Sequence, residues 1–88
     1  MMKMKTSRGA EFDVNYTAPM SGGKEMIVSL ESSEKLSVIA TELEGCEILT
    51  VTDERRPGAK EVFEGYKVLM DIRRMSSGSV RATLGREE

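Results

Sequence analysis

The chain contains no histidine, and that absence removes more chemistry than any residue present supplies. Imidazole is the usual base behind a serine or cysteine nucleophile and the commonest metal ligand. With Cys46 as the single cysteine, no nucleophile–histidine pair can be assembled, and the Cys/His ligands of a structural zinc site are missing from the chain. One cysteine also rules out an intramolecular disulfide, and a small domain without bridges fits a reducing cytosol. Tryptophan is absent and the aromatics are Phe12, Tyr16, Phe63 and Tyr66 alone. The core must therefore come from Val, Ile, Leu and the seven Met, a side chain that packs adaptably but specifies a core weakly. No apolar run approaches the ~20 residues of a spanning helix. The opening Met1-Met2-Lys3-Met4-Lys5 carries lysines with no apolar run behind them, unlike a signal peptide. These absences predict a cytoplasmic, non-enzymatic protein with no catalytic residue, no cofactor, no metal and no membrane partner.

What is there suits one small α+β domain spanning residues 1–88. Apolar residues at 39% and charged residues at 32% argue for a folded chain rather than a disordered one. A domain of this size buries only about 60–65% of the surface its unfolded chain exposes, so its stability margin is thin and added subunit contacts would help. The net charge of −2 gives no general attraction to phosphate or to an anionic membrane.

Hydrophobic periodicity predicts the elements. Met2 and Met4 alternate with Lys3 and Lys5, Ser7-Arg8-Gly9 supplies turn chemistry, and Phe12, Val14, Tyr16 and Ala18 alternate with polar neighbours; together they read as a hairpin. Pro19 to Gly23 breaks the chain before a third strand carrying Met26, Val28 and Leu30. Ser32-Ser33-Glu34 reads as a helix start, and Leu36, Ile39, Ala40 and Leu43 form one apolar stripe, giving a helix over about 33–44 that Gly45 ends. A β-rich stretch at 46–52 leads into the turn Arg55-Arg56-Pro57-Gly58. Residues 62–72 then read as one long strand with a bulge at Gly65. After the Ser76–Ser79 turn, Val80, Ala82 and Leu84 form a last strand, and residues 85–88 are expected to fray. The predicted order is βββαβββ: two antiparallel meanders making a curled sheet, or a small partly open barrel, packed on the helix.

Several residues invite a chemical role. Cys46 follows the negative end of the helix dipole and is flanked by Glu44 and Glu47, a setting unfavourable to a reactive thiolate; it reads as a packing residue. Ser21-Gly22-Gly23-Lys24 resembles the end of a phosphate loop but lacks the earlier glycine and the hydroxyl after the lysine; it reads as a turn. The carboxylate neighbours Glu42/Glu44, Asp53/Glu54 and Glu87/Glu88 have no apolar surroundings to shift their titration; they read as solvated. Arg55, Arg56, Arg73, Arg74 and Arg81 are candidates for a nucleic-acid surface, provided that they cluster beside exposed aromatics. Placed at the two ends of a meander, they do not make one patch automatically.

Phe63-Glu64-Gly65-Tyr66, followed by Leu69, Ile72, Gly78, Val80 and Leu84, is similar to a hairpin pattern in short proteins of bacterial prophages, found among tail and head genes. The start Met2-Lys3-Met4-Lys5-Thr6 with Gly9 and Phe12-Asp13-Val14 resembles the opening of such proteins. The matches touch roughly half of the chain. The resemblance implies a structural or assembly role in a phage particle, hence a virion location, and carries over no functional residue. The expected function is a structural or protein-binding module, oligomeric and partnered by protein; the alternative is a β-rich nucleic-acid binder using the five arginines.

Overall fold

In the computed structural model, which describes residues 2–86, seven strands and one helix form an α+β fold. They are β1 (Met2–Thr6), β2 (Glu11–Met20), β3 (Glu25–Glu31), α1 (Leu36–Leu43), β4 (Ile48–Asp53), β5 (Lys60–Glu64), β6 (Val68–Arg74) and β7 (Val80–Gly85). All seven strands join one sheet in the order β5-β4-β1-β2-β3-β7-β6, and every neighbouring pair is antiparallel. The two end strands are joined by only Gly65–Lys67, a link that fully extended spans at most about 14 Å. The sheet must therefore curl until its ends approach. No ladder joins β5 to β6, so the curl stays open.

The first meander, β1-β2-β3, forms in the predicted strand order. The second does not. The expected single strand over 62–72 is two strands at opposite ends of the sheet, and the order is βββαββββ. Gly65, at φ 84°, turns the chain where a side chain would strain the backbone. The link is then fastened to the helix-to-β4 connection: Gly65 N–H donates to Glu47 O at 3.0 Å and Gly45 N–H donates to Lys67 O at 2.7 Å. Hairpin β4-β5 thus extends β1 on one side, and hairpin β6-β7 extends β3 on the other.

Two bulges correct the predicted faces. The β2–β3 register shifts between Val14 and Tyr16, where the Asn15 amide donates to Ser29 Oγ and Glu31 Oε1. Phe12 and Val14 point inward, but Tyr16 is 47% exposed on the outer face. A second shift lies between Leu69 and Asp71, so Leu69 and Ile72 pack on the core while Val68 and Met70 face out. Each extra residue reverses the period-2 parity of everything after it.

The helix is shorter than predicted. Lys35 is its N-cap residue and makes no side-chain cap bond; Ser32 Oγ instead accepts the Glu34 N–H, so the expected serine cap does not form. Residues 32–34 are held from outside by Arg74, whose guanidinium donates to Ser32 O, Glu34 O and Gly78 O at 2.8, 2.6 and 2.9 Å. Ile39 and Leu43 are fully buried, Leu36 is half-buried, and α1 packs against β6. The core they join contains Met4, Met26, Val28, Leu30, Leu49, Tyr66, Val80 and Leu84 among others. Gly85, expected to fray, is buried and paired with Glu25 and Val68. Replacing Arg74 by alanine is expected to cost about 1 kcal/mol, since the lost bonds are charged but solvent-exposed, and to speed amide exchange at Val38 and Ile39; urea denaturation with hydrogen exchange checks both.

Candidate functional site

The residues singled out for chemistry take structural positions. Cys46 is 1% exposed and its thiol lies 2.6 Å from Glu42 O, a donor bond that closes the helix end. Ser21–Gly23 is a one-turn 3-10 connection between β2 and β3, and Gly23 O accepts the buried Tyr66 hydroxyl at 2.6 Å. The Glu44 carboxylate accepts the Leu69 N–H at 3.0 Å. Glu54 is exposed in the β4–β5 turn; Glu87 and Glu88 lie outside the described residues. Among the described residues no cluster of acids and cysteine is arranged to hold a metal, and no helix is long and apolar enough to cross a membrane.

The titration of Asp53 is displaced downward. The Arg55 backbone N–H at 3.0 Å, then the Arg55 guanidinium at 3.2 Å, hold it below the usual carboxylate range. Because the folded value is the lower one, the group contributes stability above its unfolded value of about 4 and loses that contribution as pH falls further. The expected result is a small drop in melting temperature on acidification below about pH 4, reduced in Asp53→Asn. A pH series of thermal melts on both proteins checks it.

The five arginines do not form one surface. Arg55 and Arg56 lie in the turn of β4-β5, whereas Arg73, Arg74 and Arg81 lie in β6-β7, at the other end of the strand order. Arg55 pairs with Asp53 and Arg73 with Asp71, and Arg74 is occupied by backbone carbonyls. Pro57-Gly58 does occupy the centre of the predicted turn, closed by the Ala59 N–H to Arg56 O bond at 2.9 Å.

The features that stand out are on the outside of the sheet. On β2-β3-β7-β6 the register sets Met20, Glu25, Gly85 and Val68 in one row and Ala18, Ile27, Thr83 and Asp71 in the next. Met70 lies over Gly85, where an added Cβ would stand 2.8 Å from its sulfur. Met20, Val68 and Met70 are 42%, 40% and 55% exposed while Ile27 between them is buried, so an apolar strip interrupted by Glu25 and Asp71 crosses the outer face. Beside it runs Tyr16, Ser29, Arg81 and Arg73. The second feature is β5, whose only sheet neighbour is β4 and whose Val62 is 49% exposed. An open cleft of about 300 Å³ between β2 and the β4-β5 hairpin, lined by Met2, Tyr16, Asp53, Arg56 and Lys60 among others, mixes charges of both signs and converges on no reactive group.

Sequence reasoning missed the apolar strip because alternation places Tyr16, Val68 and Met70 inside. Asn15 and Asp71 stand at polar positions of that alternation, so the pattern does not mark the places where the two registers slip. Comparisons with family models, with curated proteins and with solved structures gave no match.

Proposed function

We propose that the chain is a non-enzymatic assembly module that works by binding protein, beginning with copies of itself. The observation that supports this reading is the exposure of Met20, Val68 and Met70 on the outer face of the sheet. A monomer gains nothing from exposing three large apolar side chains on one face, and clustered apolar surface marks contact sites. Methionine suits the role, because its flexible thioether adapts to a partner. A place as a component of a prophage particle, the implication of the resemblance, belongs to the same proposal. Sedimentation velocity from micromolar to millimolar protein tests it: the wild type is expected to associate, and a chain that stays monomeric throughout contradicts self-assembly.

The row Tyr16, Ser29, Arg81 and Arg73 favours a second reading, because an exposed aromatic beside cationic side chains is what single-stranded nucleic acid stacks on. Asp71 already partly neutralises Arg73, which weakens it. Binding of a labelled oligonucleotide at low salt, lost in Tyr16→Ala and declining steeply with salt, supports that reading; no binding at low salt ends it.

A further inference from the structure

Among the described residues the sheet has three stretches of unpaired edge, and they are not treated alike. The β6 edge is covered: α1 packs against it, Glu44 takes the Leu69 N–H, and Gly45 donates to Lys67 O. The distal half of β2, past its last pairing with β1 at Val14, contains Pro19, which removes a donor, and follows a bulge. Both are ordinary ways of blunting an edge. The edge of β5, Lys60-Glu61-Val62-Phe63-Glu64, has no proline, no bulge in its ladder with β4 and, among the described residues, no further strand beyond it.

The direction of its backbone groups follows from two bonds. Asp53 N–H donates to Ala59 O at 3.2 Å, and Gly65 N–H donates to Glu47 O at 3.0 Å. In an antiparallel ladder the bonded pairs alternate with non-bonded ones. The register Thr52↔Lys60 to Ile48↔Glu64 therefore puts Ala59, Glu61, Phe63 and Gly65 in bonded pairs with β4. Lys60, Val62 and Glu64 point their N–H and C=O groups the other way, to the free side. Their side chains share the outer face, opposite to that of Phe63, which packs on the core.

We infer that two copies of this chain pair β5 with β5′, antiparallel and centred on Val62. This rests on the reading that the chain self-assembles, and adds a contact separate from the outer apolar strip. With Val62 on the two-fold axis, Val62 faces Val62′, Lys60 faces Glu64′ and Glu64 faces Lys60′. All three are bonded pairs, so every outward N–H and C=O of the strand is satisfied. The same register sets unlike charges opposite each other at both ends, flanking an apolar pair that is half-exposed in the single chain. Hydrogen-bond parity and charge order are independent properties of the strand, and both are self-complementary about the same residue. Charges that would repel a mismatched strand thus select the chain's own copy. A five-residue edge buries less than the about 800 Å² per partner of a standard stable interface, so the dimer is weak and concentration-dependent.

The test is sedimentation velocity on the full chain, comparing wild type with Lys60→Glu, Glu64→Lys, the double swap and Val62→Pro. Each single charge change acts twice by symmetry and is expected to raise the dimer dissociation constant about tenfold. The double swap is expected to restore it. Val62→Pro is expected to abolish pairing while leaving the β4 ladder intact, because the N–H it removes faces away from β4; circular dichroism confirms the fold. A wild type that associates, with association indifferent to the single changes and to Val62→Pro, overturns the β5 pairing and leaves the assembly reading standing. A wild type that remains monomeric overturns both.

Discussion

Tyr66→Ala is expected to cost about 3–5 kcal/mol, enough to unfold much of the population of a domain this small. Tyr66 is the middle residue of the three-residue link that carries the chain from one end of the sheet to the other, and it is 3% exposed. Its ring meets Phe63 edge-on at 6.3 Å between centroids, with the Arg86 guanidinium 4.6 Å from its centroid. Its hydroxyl donates to Gly23 O, tying the link to the turn between β2 and β3. Alanine removes the packing and the tie together. Tyr66→Phe keeps the ring and loses the single bond, for about 1 kcal/mol. Chemical denaturation of both variants separates the two contributions. A loss below about 1 kcal/mol for Tyr66→Ala would mean that the link does not hold the curl.

Leu43→Ala is the second large effect, expected at about 2–5 kcal/mol. Leu43 is fully buried at the end of α1, next to the Glu44 and Gly45 contacts that cover the β6 edge. An eight-residue helix has little stability of its own; its apolar stripe on β6 is what keeps it folded. The variant is therefore expected to lose protection at the Leu69 amide before the rest of β6 opens. Val38→Ala on the same helix is the control: Val38 is 44% exposed, and the change should stay within about 0.5 kcal/mol. Urea titration with hydrogen exchange at Leu69 reads both quantities.

Much of this architecture was legible in the residues. The alternation of Met2 to Lys5, the run Met26, Val28, Leu30, the stripe Ile39 to Leu43, and the turn at Pro57-Gly58 each report a local preference that tertiary structure keeps. The α+β class with one helix on a curled antiparallel sheet follows from them. What failed did so where one residue changes parity or direction. Asn15 and the Leu69–Asp71 step insert residues that no periodicity announces, so Tyr16 and Met70 move from the predicted core to the surface. Gly65 was legible as an irregularity, but a bulge and a crossing between opposite sheet ends start from the same local signal. Only the long-range bonds of Gly45 and Gly65 distinguish them. The serine cap failed because the helix starts later, with Lys35 as its N-cap, so Ser32 Oγ takes the Glu34 N–H of the preceding turn. Arg74, forty residues or more away in sequence, holds the carbonyls of that turn. The outer strip was invisible for the same parity reason, and the arginines, conspicuous in the sequence, are divided between opposite ends.

Hydrogen exchange resolved by residue along Lys60–Glu64, in dilute and in concentrated protein, reads the exposed border of the sheet most directly. Dilute chain should show fast exchange at Lys60, Val62 and Glu64 beside slow exchange at Glu61 and Phe63, with the fast set slowing as concentration rises. Uniform rates along the strand, or protection at Val62 that is already complete in dilute solution, would contradict a free β5 waiting for its copy.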